Sequence, residues 1–198
     1  MMGSENRKYN IAAAVMIGGR SVRMGQPKES VIIPGDGRTF LGRICDEVDI
    51  TYPKIISQRY ISQREDQKIV REGYINVYDV FTGIGPVGGI ASVLERAKAD
   101  GYDATLFAAC DMTGYDHTEI IRICENYHGE DVLFARTDEV RIQPLASIWS
   151  VKCLPALLSM IKKGDHRLRD ITGFVDDIRY YDTLCPDAYV NINSMSDV

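Results

Sequence analysis

The densest chemistry in the sequence is one stretch, Gly18-Gly19-Arg20-Ser21-Val22-Arg23-Met24-Gly25-Gln26-Pro27-Lys28. Its glycines let the backbone approach a ligand closely and turn N–H groups inward. Arg20, Arg23 and Lys28 add three cations with no acid among them. Backbone donors beside guanidinium and ammonium groups are what a polyphosphate needs. The spacing matches neither G-x-x-x-x-G-K-[ST] nor G-x-G-x-x-G, so this is not a P-loop or a dinucleotide fingerprint. The competing reading is a solvated turn with incidental charges. Asp111 follows the apolar run Thr105 to Ala109. It is either a Mg²⁺ ligand working beside substrate phosphates or a cap for the next helix. A second glycine-dense loop, Gly83 to Gly89, either holds a ligand against a helix N-terminus or is a tight strand-to-helix connection. His117, His128 and His166 enter no Ser/His/Asp or Cys/His arrangement and read as surface or capping residues.

These residues need elements to position them. Ile11 to Ile17 is a continuous apolar run of strand length, as expected of a strand buried on both faces. Further strands are expected over Ser30 to Ile33, Pro53 to Ser57, Tyr74 to Val80, Ala104 to Ala109, Asp131 to Ala135, Ile142 to Trp149 and Ile178 to Tyr181. Helices are expected from Thr39, as cap, to about Val48, and over Ser62 to Arg71, Ile90 to Ala99, Thr118 to Tyr127 and Leu154 to Lys162. Strand and helix alternate at about 25-residue intervals, the pattern of βαβ units and a parallel, doubly wound sheet. In such sheets ligands bind beyond the carboxyl ends of the strands. The loops Gly18 to Lys28, Ser57 to Arg59 and Asp79 to Gly89, together with Asp111, are therefore expected along one edge.

Composition narrows the classes further. The 198 residues suit one domain, expected over 10–198 after a disordered tail at 1–9. Lys plus Arg is 23 against 28 Asp plus Glu, a net charge of −5. Such a balance opposes broad nucleic-acid binding, which needs a basic surface. No apolar run reaches the ~20 residues of a membrane span, and Met1 to Asn10 has no apolar signal core. Five cysteines without a C-x-x-C pair oppose a disulfide framework or zinc knuckle. The expected compartment is a reducing cytoplasm.

Taken in order, these motifs resemble one family. Ile17-Gly18-Gly19 through Arg23-Met24-Gly25 to Pro27-Lys28 resembles the L-A-G-G-x-x-x-R-M-G-x-x-K signature of the molybdenum cofactor guanylyltransferases, the MobA family. Gly85-Pro86-Val87-Gly88-Gly89 resembles their G-P-L-G-G loop, and Cys110-Asp111-Met112 their C-D-M-P segment. Gln143-Pro144-Leu145 resembles a Q-P-L strand, and Asn191-Ile192-Asn193 a terminal N-[IV]-N motif. The order and spacing hold from about residue 11 to 194. The resemblance implies an α/β fold of three αβα layers, with a Rossmann-like, mostly parallel sheet of the nucleotide-diphospho-sugar transferase type.

The resemblance also implies an activity: transfer of GMP from GTP to molybdenum-bound molybdopterin, with loss of pyrophosphate. Met16, Ile17 and Gly18 would line the guanine site. Gly19, Arg20, Ser57, Asp79 and Gly85 would complete the GTP site. Arg23 and Lys28 would act on phosphate, and Asp111 would hold Mg²⁺. Gln143, Arg167, Arg169, Asn191 and Asn193 would face the molybdopterin acceptor, and cofactor-delivery proteins would be further partners. Ile17 replaces the usual Ala, Thr113 the usual Pro and Ser57 the usual Asn, while Asp79 is one residue out of register. Charge moves to the leaving pyrophosphate, so cations and Mg²⁺ suffice without a covalent intermediate or strong general base. The alternatives are a cytidylyltransferase on molybdopterin or another small phosphate, a sugar-phosphate nucleotidyltransferase, and a catalytically silent nucleotide-binding module. Glycine at position 18 leaves room for a purine.

Overall fold

A computed structural model describes residues 9–17 and 27–192. At the middle of its sheet lies β1 (Ile11–Met16), buried along its whole length. On one side lie β2 (Gln58–Gln63) and β3 (Ile75–Tyr78). On the other lie β4 (Ala104–Ala109), β5 (Val132–Arg136), β6 (Ile142–Ser150) and β7 (Ile178–Asp182). The order is β3-β2-β1-β4-β6-β5-β7, and β6 alone runs antiparallel. The sheet is thus mostly parallel, as expected.

Helices cover both faces. Ala13, Val15 and Ile17 pack in one cluster with Phe40, Ile44 and Val48 of α1 (Phe40–Thr51) and Ile120 and Ile123 of α3 (His117–Glu125). Ala12, Ala14 and Met16 pack in the other with Val87, Ile90 and Leu94 of α2 (Pro86–Ala99) and Leu157 of α4 (Leu154–Lys162). Alternate residues of one strand feeding two cores explain why its sequence is uniformly apolar. Thr39 caps α1 as expected, its Oγ1 accepting from Gly42 N at 3.0 Å.

Three expected elements are corrected. Pro53 to Ser57 is not a strand: the Ile55 and Ile56 amides both turn back to Thr51 O and finish α1, leaving Pro53 without a donor to add. The second strand is β2, which overlaps the helix expected over Ser62 to Arg71. Tyr60, Ile61, Ser62 and Gln63 are buried in succession, as in a strand covered on both faces, and a turn follows at Arg64–Gln67. Ser30 to Ile33 is a 3-10 turn, Lys28–Ser30, with only a bridge from Ile32 to Thr39. Tyr9, expected in the tail, is docked: its ring meets Tyr127 edge-on at 5.3 Å and its hydroxyl donates to His128 O. Among the described residues no helix is long and apolar enough to cross a membrane.

Candidate active site

Parallel register brings four strand ends to one edge. Met16 pairs with Ser62 on one side and Ala109 on the other, and Gln63 pairs with Tyr78. The ladder continues past the strands: Ile17 N donates to Ser62 O, Cys110 N to Met16 O and Asp79 N to Gln63 O. Ile17, Gln63, Asp79 and Asp111 therefore stand in a row where an open α/β sheet binds its ligand.

Lys28 and Asp111 meet on this edge, with Lys28 Nζ donating to Asp111 Oδ2 at 2.7 Å. Asp111 is not the cap of α3. Asp116 fills that role, accepting from the Thr118 and Glu119 amides, which removes the competing reading of Asp111. The Asp111 carbonyl accepts from Ile192 N at 3.0 Å, and Met112 bridges to Asn191. The neighbouring Cys110 is buried and its thiol is pushed up by desolvation, so it has no nucleophile's character. Among the described residues no three His, Cys, Asp or Glu side chains group around a metal. One accessible carboxylate suits Mg²⁺, which takes the rest of its shell from substrate phosphates and water.

Asp79 lies at the end of β3. Burial holds its carboxyl above the usual range, although the Phe81 amide donates to it at 2.9 Å and Ser92 also bonds it. The glycines of the second loop divide into two roles. A Cβ at Gly88 would strike Phe81 O and lie 2.9 Å from Asp79 Oδ1, and one at Gly89 would lie 2.8 Å from Met16 Cε. Both let α2 approach the sheet. Gly85 is different: it caps α2 at φ 77° with open space where a Cβ would be.

A groove of about 510 Å³ opens at the start of α2. Pro86, Gln143, His166, Arg167 and Arg169 line it together with Arg141. The expected acceptor residues Gln143, Arg167 and Arg169 are thus brought together. Arg167 pairs with Asp170 at 2.5 Å. Asn191 lies apart from this groove, beside Met112 and Asp111.

Ser57 is a correction. Its amide donates to Ile11 O at the amino end of β1, on the edge opposite Asp111, so it is out of reach of the candidate site. The sequence reads Ile-Ser-Gln-Arg twice, at 56–59 and 61–64. The second copy is the one that ends a strand, with Ser62 and Gln63 at the functional edge. Gly18, Gly19, Arg20, Arg23 and Asn193 lie outside the described residues. Sequence reasoning missed Gln63, Gln67 and Glu29, whose polar side chains are tied to this edge. The repeated tetrapeptide was the available signal for Gln63.

Residues 13–178 match the MobA-like NTP transferase domain family. A molybdenum cofactor guanylyltransferase of Yersinia pestis is 24% identical over 190 residues, covering 95% of this chain and 93% of that protein. A probable molybdenum cofactor guanylyltransferase of Rhodopirellula baltica is 25% identical over 161 residues, covering 79% and 75%. The solved molybdopterin-guanine dinucleotide biosynthesis protein A of Archaeoglobus fulgidus superposes with a TM-score of 0.75 at 19% identity, over 94% of each chain. The fold is that of the nucleotide-diphospho-sugar transferase type.

Proposed function

Because this chain belongs to the MobA-like NTP transferase family, we propose that it transfers GMP from GTP to the phosphate of a molybdopterin-type acceptor. The observation that carries the proposal is the meeting of Lys28 with Asp111 at the carboxyl edge. A cation and a carboxylate there serve phosphate and metal together, and the relatives named above share the family.

An acceptor phosphate oxygen attacks the α-phosphorus of GTP. The P–O bond to the β-phosphate breaks, and pyrophosphate leaves with the electron pair. Met16, Ile17, Gly18 and Gly19 line the base. Arg20, Arg23 and Lys28 bind the phosphates, and Lys28 also meets the charge that develops on the leaving group. Asp111 would hold Mg²⁺, which when bound would neutralise phosphate charge as a Lewis acid. Asp79 and Gly85 border the nucleotide. Gln143, Arg167 and Arg169 bind and orient the acceptor, and Asn191 supports Asp111 from the C-terminal side.

A second reading, a cytidylyltransferase, stays in view because the fold is common to enzymes of different base choice. A panel of GTP, CTP, ATP and UTP with Mg²⁺ tests both, scored by calorimetry and by pyrophosphate release with a molybdopterin acceptor. GTP is expected to bind better than CTP by ~1–3 kcal/mol, the scale of polar groups matched to one partner. Equal or tighter CTP binding overturns the guanylyl assignment. Nucleotide binding without pyrophosphate release leaves the catalytically silent nucleotide-binding module.

A further inference from the structure

Gln67 lies in the turn after β2, and its side chain reaches both ends of the basic segment. Nε2 donates to the Ile17 carbonyl at 3.0 Å and to Glu29 Oε1 at 2.9 Å, while Oε1 accepts from the Arg64 amide at 2.8 Å. The amide has one orientation that satisfies all three contacts, because Nε2 faces two acceptors and Oε1 faces a donor. Ile17 immediately precedes residues 18–26, and Glu29 follows Lys28. Both are buried, at 2% and 6% exposure, while Gln67 is half-buried, so the two contacts are partly shielded from water.

The turn that carries Gln67 is itself fixed. Gln67 N donates to Arg64 O at 3.1 Å. Gln63, buried at the end of β2, donates to Ile69 O at 3.0 Å and accepts from Ile69 N at 2.8 Å. The chain from sheet to Gln67 is therefore hydrogen-bonded at each step. Ile17, just past β1, and Glu29, beside Lys28, are thereby tied to one base.

We propose that Gln67 is a positioning residue for nucleotide transfer, a clamp that fixes the entry and exit of the basic loop. It sets where Lys28 stands relative to the backbone at Ile17, and so the distance between the phosphate end and the base end of the bound nucleotide. The proposal rests on reading that loop as the nucleotide-phosphate site. Glutamine is required by its donors. A carboxylate at 67 would face the Glu29 carboxylate and the Ile17 carbonyl with no proton to share, and a shorter side chain would reach neither.

The test uses the full chain, GTP calorimetry and steady-state kinetics on Gln67→Ala, Gln67→Glu, the double substitution Q67E/E29Q, and Lys28→Ala. Gln67→Ala is expected to raise the Kd and KM for GTP about tenfold, the effect of losing a hydrogen bond to a charged group. The acceptor KM should stay unchanged. Gln67→Glu should be worse than Gln67→Ala, and Q67E/E29Q should recover part of the loss, because the new amide donates to the new carboxylate. If Lys28→Ala weakens GTP binding and transfer but Gln67→Ala and Gln67→Glu do not, the clamp is overturned. If Gln67→Ala lowers Tm and raises both KM values equally, Gln67 serves the fold alone, and the proposal fails. Normal GTP binding and transfer by Lys28→Ala would instead refute the reading of the loop.

Discussion

Lys28 Nζ stands 2.7 Å from Asp111 Oδ2 although 83 residues separate them in the sequence. Their side chains are 21% and 19% exposed, so each charge is screened by the other and partly by water. On the proposed function, a bound triphosphate would have both change partner: the ammonium to phosphate, the carboxylate to Mg²⁺. Asp111→Asn keeps shape and hydrogen bonding but removes the charge. Tm should move little, because a partly exposed ion pair contributes ~0–1 kcal/mol. Transfer should fall ~10²-fold or more in Asp111→Asn and in Lys28→Ala, the scale of losing one preorganised charge stabiliser. GTP binding to Asp111→Asn should lose its Mg²⁺ dependence. Full activity in that variant with Mg²⁺ still required would move the metal elsewhere.

On the proposed function, the cationic groove would take the acceptor and leave the nucleotide to the Lys28–Asp111 edge. Arg167 and Arg169 line it, beside Gln143, at the start of α2. Arg167→Ala with Arg169→Ala should raise the acceptor KM about tenfold or more, the usual worth of charge-assisted bonds to phosphate. The GTP Kd should hold, and the acceptor KM should lose most of its salt dependence. A raised GTP Kd with an unchanged acceptor KM would reassign the groove to the nucleotide.

Much of this was legible in the sequence, and the part that was not has a local cause. The apolar run at Ile11 to Met16 could only be a strand covered twice, and Thr39 announced its helix. The polar run Ser62-Gln63 misled: both side chains are buried and Gln63 bonds the Ile69 backbone, while the main chain pairs as a strand. Ser57 is expected to end a strand over Pro53 to Ser57, but β2 only begins at Gln58, which leaves Ser57 on the opposite edge. Lys28 and Asp111 were each legible by type. Their contact was not, since it depends on the order of strands that lie far apart in the chain.

Asp79 gives a pH dependence of known sign. Burial raises its carboxyl in the folded state, so folding favours the protonated form. Its contribution is favourable below the usual carboxylate range and is lost as pH rises through the raised value. Asp79→Asn keeps an acceptor for the Phe81 amide and removes the charge. The variant should melt higher than the parent at pH 7, and the difference should shrink as pH falls below the usual carboxylate range. A lower Tm for Asp79→Asn at pH 7 would show that the carboxylate is stabilised by groups outside those described.

Glu119 is the buried carboxylate on which the C-terminal segment turns. It is 1% exposed and accepts from Thr183 Oγ1 at 2.6 Å, Tyr189 hydroxyl at 2.9 Å, Tyr181 hydroxyl at 3.3 Å and Arg122 at 2.8 Å. Burial and the Glu119 charge push the Tyr181 phenol up to about 12 and the Tyr189 phenol higher still, so both remain donors at neutral pH. Tyr189 leads directly to Asn191 and to Ile192, whose amide donates to the Asp111 carbonyl. Glu119→Ala strips the acceptor from these hydroxyls and from Arg122. The cost should be about 2–6 kcal/mol, because the Tyr181 and Tyr189 hydroxyls are left buried without their acceptor, at about 1–3 kcal/mol each, while the exposed Arg122 can turn to water. At ~2–4 °C per kcal/mol for a chain of this size, Tm should drop by roughly 10 °C. Glu119→Gln should lose less, since the hydroxyls can rotate to accept from the new amide. Measured well below its Tm, Glu119→Gln should still transfer GMP more slowly than the parent, because the backbone that seats Asp111 has lost its anchor. Parental Tm in Glu119→Ala would mean that the cluster is satisfied without the carboxylate. Parental transfer in Glu119→Gln would mean that the Ile192 contact does not help place Asp111.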